Sequence, residues 1–214
     1  MFKFAWGSIC DTMIGEKMVF FGGRRLHIIA GTARGRQILT PQGRNTRPTL
    51  GRVKESLFGI LQFSIEGARV LDLYAGSGSL GLEALSRGAS FAVFNDQDHG
   101  CCDLIRRNLD TLGFSGRAAL MQLDAITAIG RLTGGQAFDI VFLDPPYKMG
   151  AQQALTALFR EGIVATGGRV VVEHAWEDAP QVADELIERV DTRKYGDTGI
   201  SFFIGKTGKD GSLG

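Results

Sequence analysis

The chain has 214 residues, of which 44% are hydrophobic, enough for one domain with a buried core. No unbroken apolar run reaches the roughly 18 residues of a membrane span, and charged residues interrupt the apolar patch at the N-terminus, so we expect neither a membrane anchor nor a signal peptide. Three cysteines, two of them adjacent, predict no disulfide framework and no metal site, which favours a reducing, cytoplasmic setting.

A basic segment is concealed by the formal net charge of +1. Residues 24–54 contain eight Lys or Arg and no Asp or Glu, which leaves 16 basic and 23 acidic residues in the rest of the chain. Such a segment is typical either of a solvated basic face or of an arm that binds a polyanion.

The N-terminal third contains three predicted parts. Residues 1–25 lack any period and are expected to form a poorly ordered extension. Short apolar runs broken by Gly and Arg over 26–43 predict a β-hairpin, and Thr49 can cap a helix that carries Val53 and Leu57 at helical spacing. We therefore predict a basic hairpin and helix over 26–64, a main domain over 65–206 and a tail over 207–214.

From residue 68 onward, short apolar strands alternate with helices. Strands are predicted at 68–74, 90–95, 118–122, 138–144, 168–174, 188–195 and 199–205, and helices at 79–87, 99–112, 151–161 and 178–187. This alternation is typical of the α/β class, with a Rossmann-like parallel sheet and helices on both faces. The three residues between the last two strands are too few for a parallel crossover, so this pair is predicted to be antiparallel.

A glycine loop follows the first strand of the main domain. Gly76, Gly78 and Gly81 form a GxGxxG pattern that fits either a dinucleotide or S-adenosylmethionine. Asp72, at the end of that strand, favours the second ligand, because a carboxylate repels pyrophosphate and attracts the sulfonium and ammonium groups of S-adenosylmethionine.

Two further acids follow the next strands. Asp96 comes twenty residues after Gly76, where a carboxylate can accept hydrogen bonds from ribose hydroxyls, and Asp124 can meet the adenine edge. Acids in such positions also cap helices, which is the alternative for each of them. The predicted cofactor site consists of Asp72, Tyr74, Gly76, Gly78, Asp96, Asp124 and Ala125.

The predicted catalytic segment is Asp144-Pro145-Pro146-Tyr147, at the end of the fourth strand of the main domain. Asp144 and the carbonyl of Pro145 can accept the two N–H bonds of an exocyclic base amine and so favour a pyramidal nitrogen with a free lone pair. Tyr147 can stack on the base and align it. A rigid turn after a buried strand is the structural alternative.

The sequence resembles the RsmD-type family of 16S ribosomal RNA guanine-N2 methyltransferases. The similarity covers about residues 27–204 and lies in the segments HIIAGTARGRQILTP, TRPTLGRVKESLFGIL, VLDLYAGSGSLGLEALSRGA, LDPPYK and YGDTGISFF. The resemblance implies a seven-stranded sheet with a small N-terminal hairpin. It also implies N2-methylation of one guanine, conventionally position 966, in the small subunit or its assembly intermediate. Asp96 departs from the family, which commonly has Glu there.

The basic arm is expected to contact RNA phosphates through Arg34, Arg36, Arg44 and Arg47. Other functions remain open at this point: an adenine-N6 methyltransferase, a release-factor glutamine methyltransferase, a nicotinamide dehydrogenase, or an RNA-binding protein that has lost its activity. The three histidines show no ligand spacing, which again predicts no metal.

Overall fold

The computed structural model describes residues 26–41, 48–146, 151–182 and 184–206, without the side chains of residues 48–50. The strands in these ranges are β1 (Leu26–His27), β2 (Gln37–Ile38), β3 (Arg69–Asp72), β4 (Phe91–Asn95), β5 (Ala118–Met121), β6 (Phe138–Leu143), β7 (Val164–Ala175), β8 (Ile187–Tyr195) and β9 (Thr198–Gly205). The α-helices are α1 (Pro48–Leu61), α2 (Ser79–Ser86), α3 (His99–Leu112), α4 (Ala125–Leu132) and α5 (Gln152–Arg160). The predicted extension and tail lie outside the described residues.

Seven strands form one sheet in the order β5-β4-β3-β6-β7-β9-β8. The first five of these pair in parallel, and β9 pairs antiparallel with both β7 and β8. A separate antiparallel hairpin joins β1 to β2. The predicted α/β class, the N-terminal hairpin and the antiparallel final pair are therefore confirmed.

Three local predictions were wrong. No α-helix covers the described part of 178–187. A 3₁₀ helix at Trp176–Asp178 overlaps its start, and Ala179, restricted by Pro180, is extended. Strand β7 begins at Val164, four residues before its predicted start. Helix α4 was not predicted, because it is only eight residues long and Asp124, its N-cap, was assigned to the cofactor.

Alternate residues of the central strands face two separate cores, as the pleat of a strand requires. One core contains Val70, Phe142 and Val171 together with apolar side chains of α1, α2 and α3. The other contains Leu71 and Val141 together with apolar side chains of α4 and α5. Helices therefore cover both faces of the sheet, and the hairpin and α1 lie on the same face as Val70.

The hairpin is joined to α2 by a buried carboxylate. Glu83 is fully buried and accepts the backbone N–H groups of Ile29 and Ala30 at 2.8 and 3.0 Å. It also forms ion pairs with Lys54 of α1 at 3.1 Å and with Arg87 at 2.8 Å. Because a buried charge needs such partners, Glu83 fixes the hairpin, α1 and α2 as one packed unit.

Candidate active site

The carboxyl ends of β3, β4, β5 and β6 meet at one edge of the sheet, since these strands are parallel. Asp72, Asp96 and Asp144 lie at or directly after the ends of β3, β4 and β6, and Asp124 lies three residues after the end of β5. The charges of Asp144 and Asp96 both act on the carboxyl of Asp72, so the structure brings at least these three acids together. Sites of α/β sheets lie at this edge.

The glycine loop turns tightly between β3 and α2. The N–H of Gly76 donates a hydrogen bond to Asp96 at 2.8 Å. The N–H of Gly78 donates to the carbonyl of Ala75 at 2.7 Å, which closes the turn. Gly78 has a φ of 78°, a left-handed conformation that favours glycine. A Cβ at Gly81 would lie 2.3 Å from the ring of Phe94, so α2 packs against β4 more closely than a side chain allows.

Asp72 is almost completely buried behind this loop, and its Oδ2 accepts the N–H of Gly81 at 3.0 Å. Burial raises the pKa of Asp72 to about 7; the Gly81 hydrogen bond lowers the pKa, and the charges of Asp144 and Asp96 raise it further. A cation beside Asp72 would favour the ionised form. The position therefore suits a positively charged ligand group.

Asp96 is half-buried, and its two oxygens accept the N–H groups of Gly76 and Asp98 at 2.8 and 2.9 Å. Each carboxylate oxygen can accept more than one hydrogen bond, so these contacts leave room for ribose hydroxyls. They also orient the carboxylate at the mouth of the loop.

Asp124 is the N-cap of α4. Its Oδ1 accepts the N–H of Thr127 at 3.0 Å, and this hydrogen bond lowers the pKa of Asp124. The capping role proposed as an alternative is thus present. The next residue, Ala125, is buried at the start of the helix. Tyr74, half-buried on the same side, has its pKa raised by burial and then by the charge of Asp124, which indicates that the two lie close together.

The predicted catalytic segment leaves the sheet at the end of β6. Asp144 and Pro146 are exposed and Pro145 is half-buried, so the acid stands at the surface of the edge rather than beneath it. Tyr147 lies outside the described residues, and its position beside Asp144 stays a prediction.

The four arginines predicted to bind RNA differ in what is described of them. Arg34 is exposed in the turn between β1 and β2. Arg36 is exposed too, but its guanidinium donates to the carbonyl of Thr111 in α3, which uses part of its hydrogen-bonding capacity on the protein. Arg44 and Arg47 lie outside the described residues.

Two asparagines hold the site together, and neither was predicted. Asn95 is buried at the end of β4 and donates to the carbonyls of Leu73 and Leu123 at 3.1 and 3.0 Å, joining the ends of three strands. Asn108 in α3 donates to the carbonyl of Ser77 in the glycine loop. Its amide also exchanges hydrogen bonds with the backbone of Leu39 next to β2.

A signal for Asn108 existed in the sequence. It stands on the apolar stripe of α3, where a polar residue needs a partner. Within the described residues no group of His, Cys, Asp and Glu is arranged to hold a metal ion, and no helix has the length and apolarity to cross a membrane.

The strand order and the acids at its carboxyl edge define the fold of a methyltransferase. The structure is similar to that named "Putative methyltransferase yhhF from Escherichia coli", with a TM-score of 0.77 and 30% identity over 85% of this chain and 98% of that one. It also shares its fold with the SAM-dependent methyltransferase from Agrobacterium tumefaciens, with a TM-score of 0.54 and 16% identity over 74% of this chain and 62% of that one.

Sequence comparison identifies the family. The family described as "Conserved hypothetical protein 95" matches residues 26–204. The "Putative rRNA methyltransferase YlbH" of Bacillus subtilis is 38% identical over 186 residues, 83% of this chain and 98% of that protein. "Ribosomal RNA small subunit methyltransferase D" of Escherichia coli is 36% identical over 158 residues, 73% of this chain and 78% of that protein. The chain belongs to this RsmD-type family, which confirms the predicted resemblance.

Proposed function

We propose that this protein uses S-adenosylmethionine to methylate the exocyclic N2 amine of one guanine in 16S ribosomal RNA. The observation that carries the proposal is the placement of Asp144 on the same sheet edge as Asp72 and the glycine loop, close enough for their charges to interact. A base held at Asp144 would thus lie beside a ligand held at the loop. The relatives named as ribosomal RNA methyltransferases support RNA as the substrate.

The residues at the edge fit the cofactor by the chemistry of their donors and acceptors. Asp72 supplies the negative charge for the cationic end, Asp96 the acceptor for ribose, and Tyr74, Asp124 and the backbone at Ala125 surround the adenine. S-adenosylmethionine supplies a methyl group on a positively charged sulfur. The turn at Gly76 and Gly78 lets the backbone approach it closely.

Asp144 performs the part of the chemistry that the protein must supply. An aromatic amine is a weak nucleophile because its lone pair is conjugated with the ring. When Asp144 and the carbonyl of Pro145 accept its N–H bonds, the nitrogen can become pyramidal as positive charge develops on it. Guanine also presents its N1–H beside the amine, which suits a carboxylate. Tyr147 would stack on the base and hold the amine in line.

The hairpin supplies the contacts to RNA phosphates. Arg34 and Arg36 stand on the element that Glu83 fixes against α2, and Arg44 and Arg47 follow it in the sequence. Contacts of this kind position RNA without reading its bases, so the target guanine would be selected by the shape of the folded subunit or its assembly intermediate.

The test combines binding and product analysis. Calorimetry should show saturable binding of S-adenosylmethionine that Asp96→Ala weakens. Incubation with unmodified 16S RNA and with small subunits, followed by mass spectrometry of the nucleosides, should yield N2-methylguanine. N6-methyladenine as the product would overturn the guanine assignment, and binding of NAD without S-adenosylmethionine would overturn the methyltransferase assignment.

A further inference from the structure

Glu173 lies one strand away from Asp144 at the same edge. Strands β6 and β7 are parallel with Leu143 opposite Val172, so the next residue of each strand, Asp144 and Glu173, stand side by side. Phe142 and Val171, two residues before them, both face the core on the side of α1. Because side chains two apart share a face, Asp144 and Glu173 both point to this side.

This face is also that of Asp72, which follows Val70 of the same core by two residues. Asp72 and Asp144 are already coupled electrostatically, and Asp144 in turn acts on Glu173. The three carboxyl groups therefore extend along the edge from the glycine loop to β7. A base bound at Asp144 would therefore lie between the glycine loop and Glu173.

The environment of Glu173 disfavours its charge. The side chain is half-buried. Burial, and to a smaller extent the charge of Asp144, raises the pKa of Glu173 to about 8. The neighbouring His174 belongs to the other face, where its ring bonds to Ser201 and to the carbonyl of Ala175.

Other ionisable groups on this face are engaged elsewhere. The hydroxyl of Tyr195, at the end of β8, is hydrogen-bonded to Ser56 of α1. Lys54 of α1 contacts Glu83 and Ser79. Opposite Glu173 on β9 stands Ile200, and beyond Ile200 on β8 stands Arg193, which forms an ion pair with Asp191 at 2.8 Å. Among the described residues, Asp144 is thus the charged group that acts on Glu173.

Methylation of an amine requires a proton acceptor. The lone pair of the amine nitrogen forms the new bond to the methyl carbon while the carbon–sulfur bond breaks and leaves its electron pair on sulfur. The nitrogen then carries a positive charge until one N–H bond breaks. Asp144 and the carbonyl of Pro145 hold the two N–H groups while the nitrogen becomes pyramidal, and a further carboxylate beside Asp144 can take the proton that one of these groups then releases.

We propose that Glu173 is this proton acceptor, an inference that rests on the proposed methylation at Asp144. One Oε of Glu173 takes the proton, the electron pair of the N–H bond stays on nitrogen, and the neutral methylamine results. Glu173 later releases the proton to water. Because the pair then shares one negative charge instead of two, product formation also relieves the repulsion between Asp144 and Glu173.

The first measurement is the pH dependence of single-turnover methylation. The rate of the wild type should rise with pH through about 8, because the ionised fraction of Glu173 rises there. Glu173→Gln keeps the shape and loses the base. We expect a rate about 10²–10⁴-fold lower and without this rise. Affinity for S-adenosylmethionine and melting temperature should change little.

The matched control is Glu177→Gln, which alters an exposed glutamate four residues later and should keep both the rate and the pH profile. A second readout needs neither RNA nor cofactor. In protein with ¹³C-labelled glutamate carboxyls, the resonance absent from Glu173→Gln should titrate near pH 8. It should titrate at lower pH in Asp144→Asn.

The outcomes separate the two proposals. A Glu173→Gln variant that methylates at the wild-type rate with an unchanged pH profile overturns the role of Glu173, whatever base is methylated. A wild type that methylates adenine instead of guanine overturns the guanine assignment, while loss of rate in Glu173→Gln would still support the proton acceptor. A Glu173 resonance that titrates near the ordinary value also counts against this role.

Discussion

The two sides of the candidate active site, that of the glycine loop and that of Asp144, differ in how firmly the protein's own contacts fix them. On the side of the glycine loop, Gly76, Gly81 and the carbonyl of Ser77 are each fixed by a side chain from a different part of the chain. On the acceptor side, Asp144 and Pro146 are exposed at the end of β6. A preorganised site can bind a small ligand of constant shape, whereas a base that is part of a large RNA needs an open site.

The two sides also differ in how their charges are satisfied. Glu83, behind the loop, has two cations and two backbone N–H groups as partners. Glu173 on the acceptor side and Asp72 between the two sides face other carboxylates, and both have a raised pKa. The loop side is therefore stabilised by its own contacts, while the acceptor side holds electrostatic repulsion that a cationic cofactor and an amine can relieve.

Removing the carboxylate of Glu83 should have the largest effect on the loop side. Glu83→Ala leaves Lys54 buried without its carboxylate partner and removes the acceptor of two N–H groups, so we expect a loss of about 3–5 kcal/mol in the free energy of unfolding. Urea denaturation at neutral pH measures it. Glu55→Ala, an exposed glutamate of α1, is the control and should change the free energy by less than about 0.5 kcal/mol. Equal stability of the two variants would show that Glu83 does not fix the hairpin.

Asp144→Ala should have the largest effect on the acceptor side. Because Asp144 acts as positive charge develops on the amine, the variant should lose about 10²–10³ in single-turnover rate at saturating substrates and keep its affinity for S-adenosylmethionine. Asp144→Asn retains an acceptor oxygen without the charge and should be intermediate. Asp178→Ala, an exposed acid beyond β7, serves as the control. Near-normal methylation by Asp144→Ala would contradict the catalytic assignment.

Asp72 links the two sides and predicts a pH dependence. Its ionised fraction falls below pH 7, so affinity for the cationic cofactor should fall about tenfold for each pH unit below that value. Calorimetry between pH 5 and 8 measures this. Asp72→Asn should bind weakly and without this dependence.

The same shift affects stability with a definite sign. The folded pKa of Asp72 is raised above the ordinary value of 3.8, so the unfolded chain loses its proton first as pH rises. The contribution of Asp72 to stability therefore decreases from about pH 4 to about pH 7 and is constant above that. A pH-independent affinity for the cofactor in the wild type would argue against a charge contact at Asp72.

The smallest effect is expected at the hairpin. RNA affinity should fall with salt, and each arginine that contacts a phosphate should contribute about 0.7–0.9 to the slope of log affinity against log salt concentration. The double variant Arg34→Gln, Arg36→Gln should therefore show a slope reduced by up to about twice that amount. Arg131→Gln, an exposed arginine of α4, is the control. An unchanged slope in the double variant would indicate that the basic segment is a solvated face without contacts to RNA phosphates.

The edge of the sheet was predictable from sequence because each strand and the acid after it form one local pattern. Asp72, Asp96 and Asp144 could be placed together from the parallel topology alone. Glu173 was not recognised, because only the register between β6 and β7 sets it beside Asp144. Glu83 was likewise hidden, since its backbone partners at Ile29 and Ala30 lie more than 50 positions away.

Local signals failed where they were short or conflicting. Helix α4 is amphipathic but only eight residues long, about two turns, so the N-cap at Asp124 was the better indicator. The helix predicted over 178–187 fails at its start, because Ala179 before Pro180 is extended after the 3₁₀ helix.

Within the part of the chain that the structure describes, strand β8 ends the sheet and pairs on one side alone, an arrangement that in many proteins allows other strands to add and aggregate. Its pairing with β9 shifts register between Arg189 and Asp191, with Val190 exposed at the bulge. The exposed Arg193 and Lys194 follow along the strand. The bulge and the charged side chains make this edge a poor template for a further strand, because an added strand would lose register at Val190 and bring its backbone against charges.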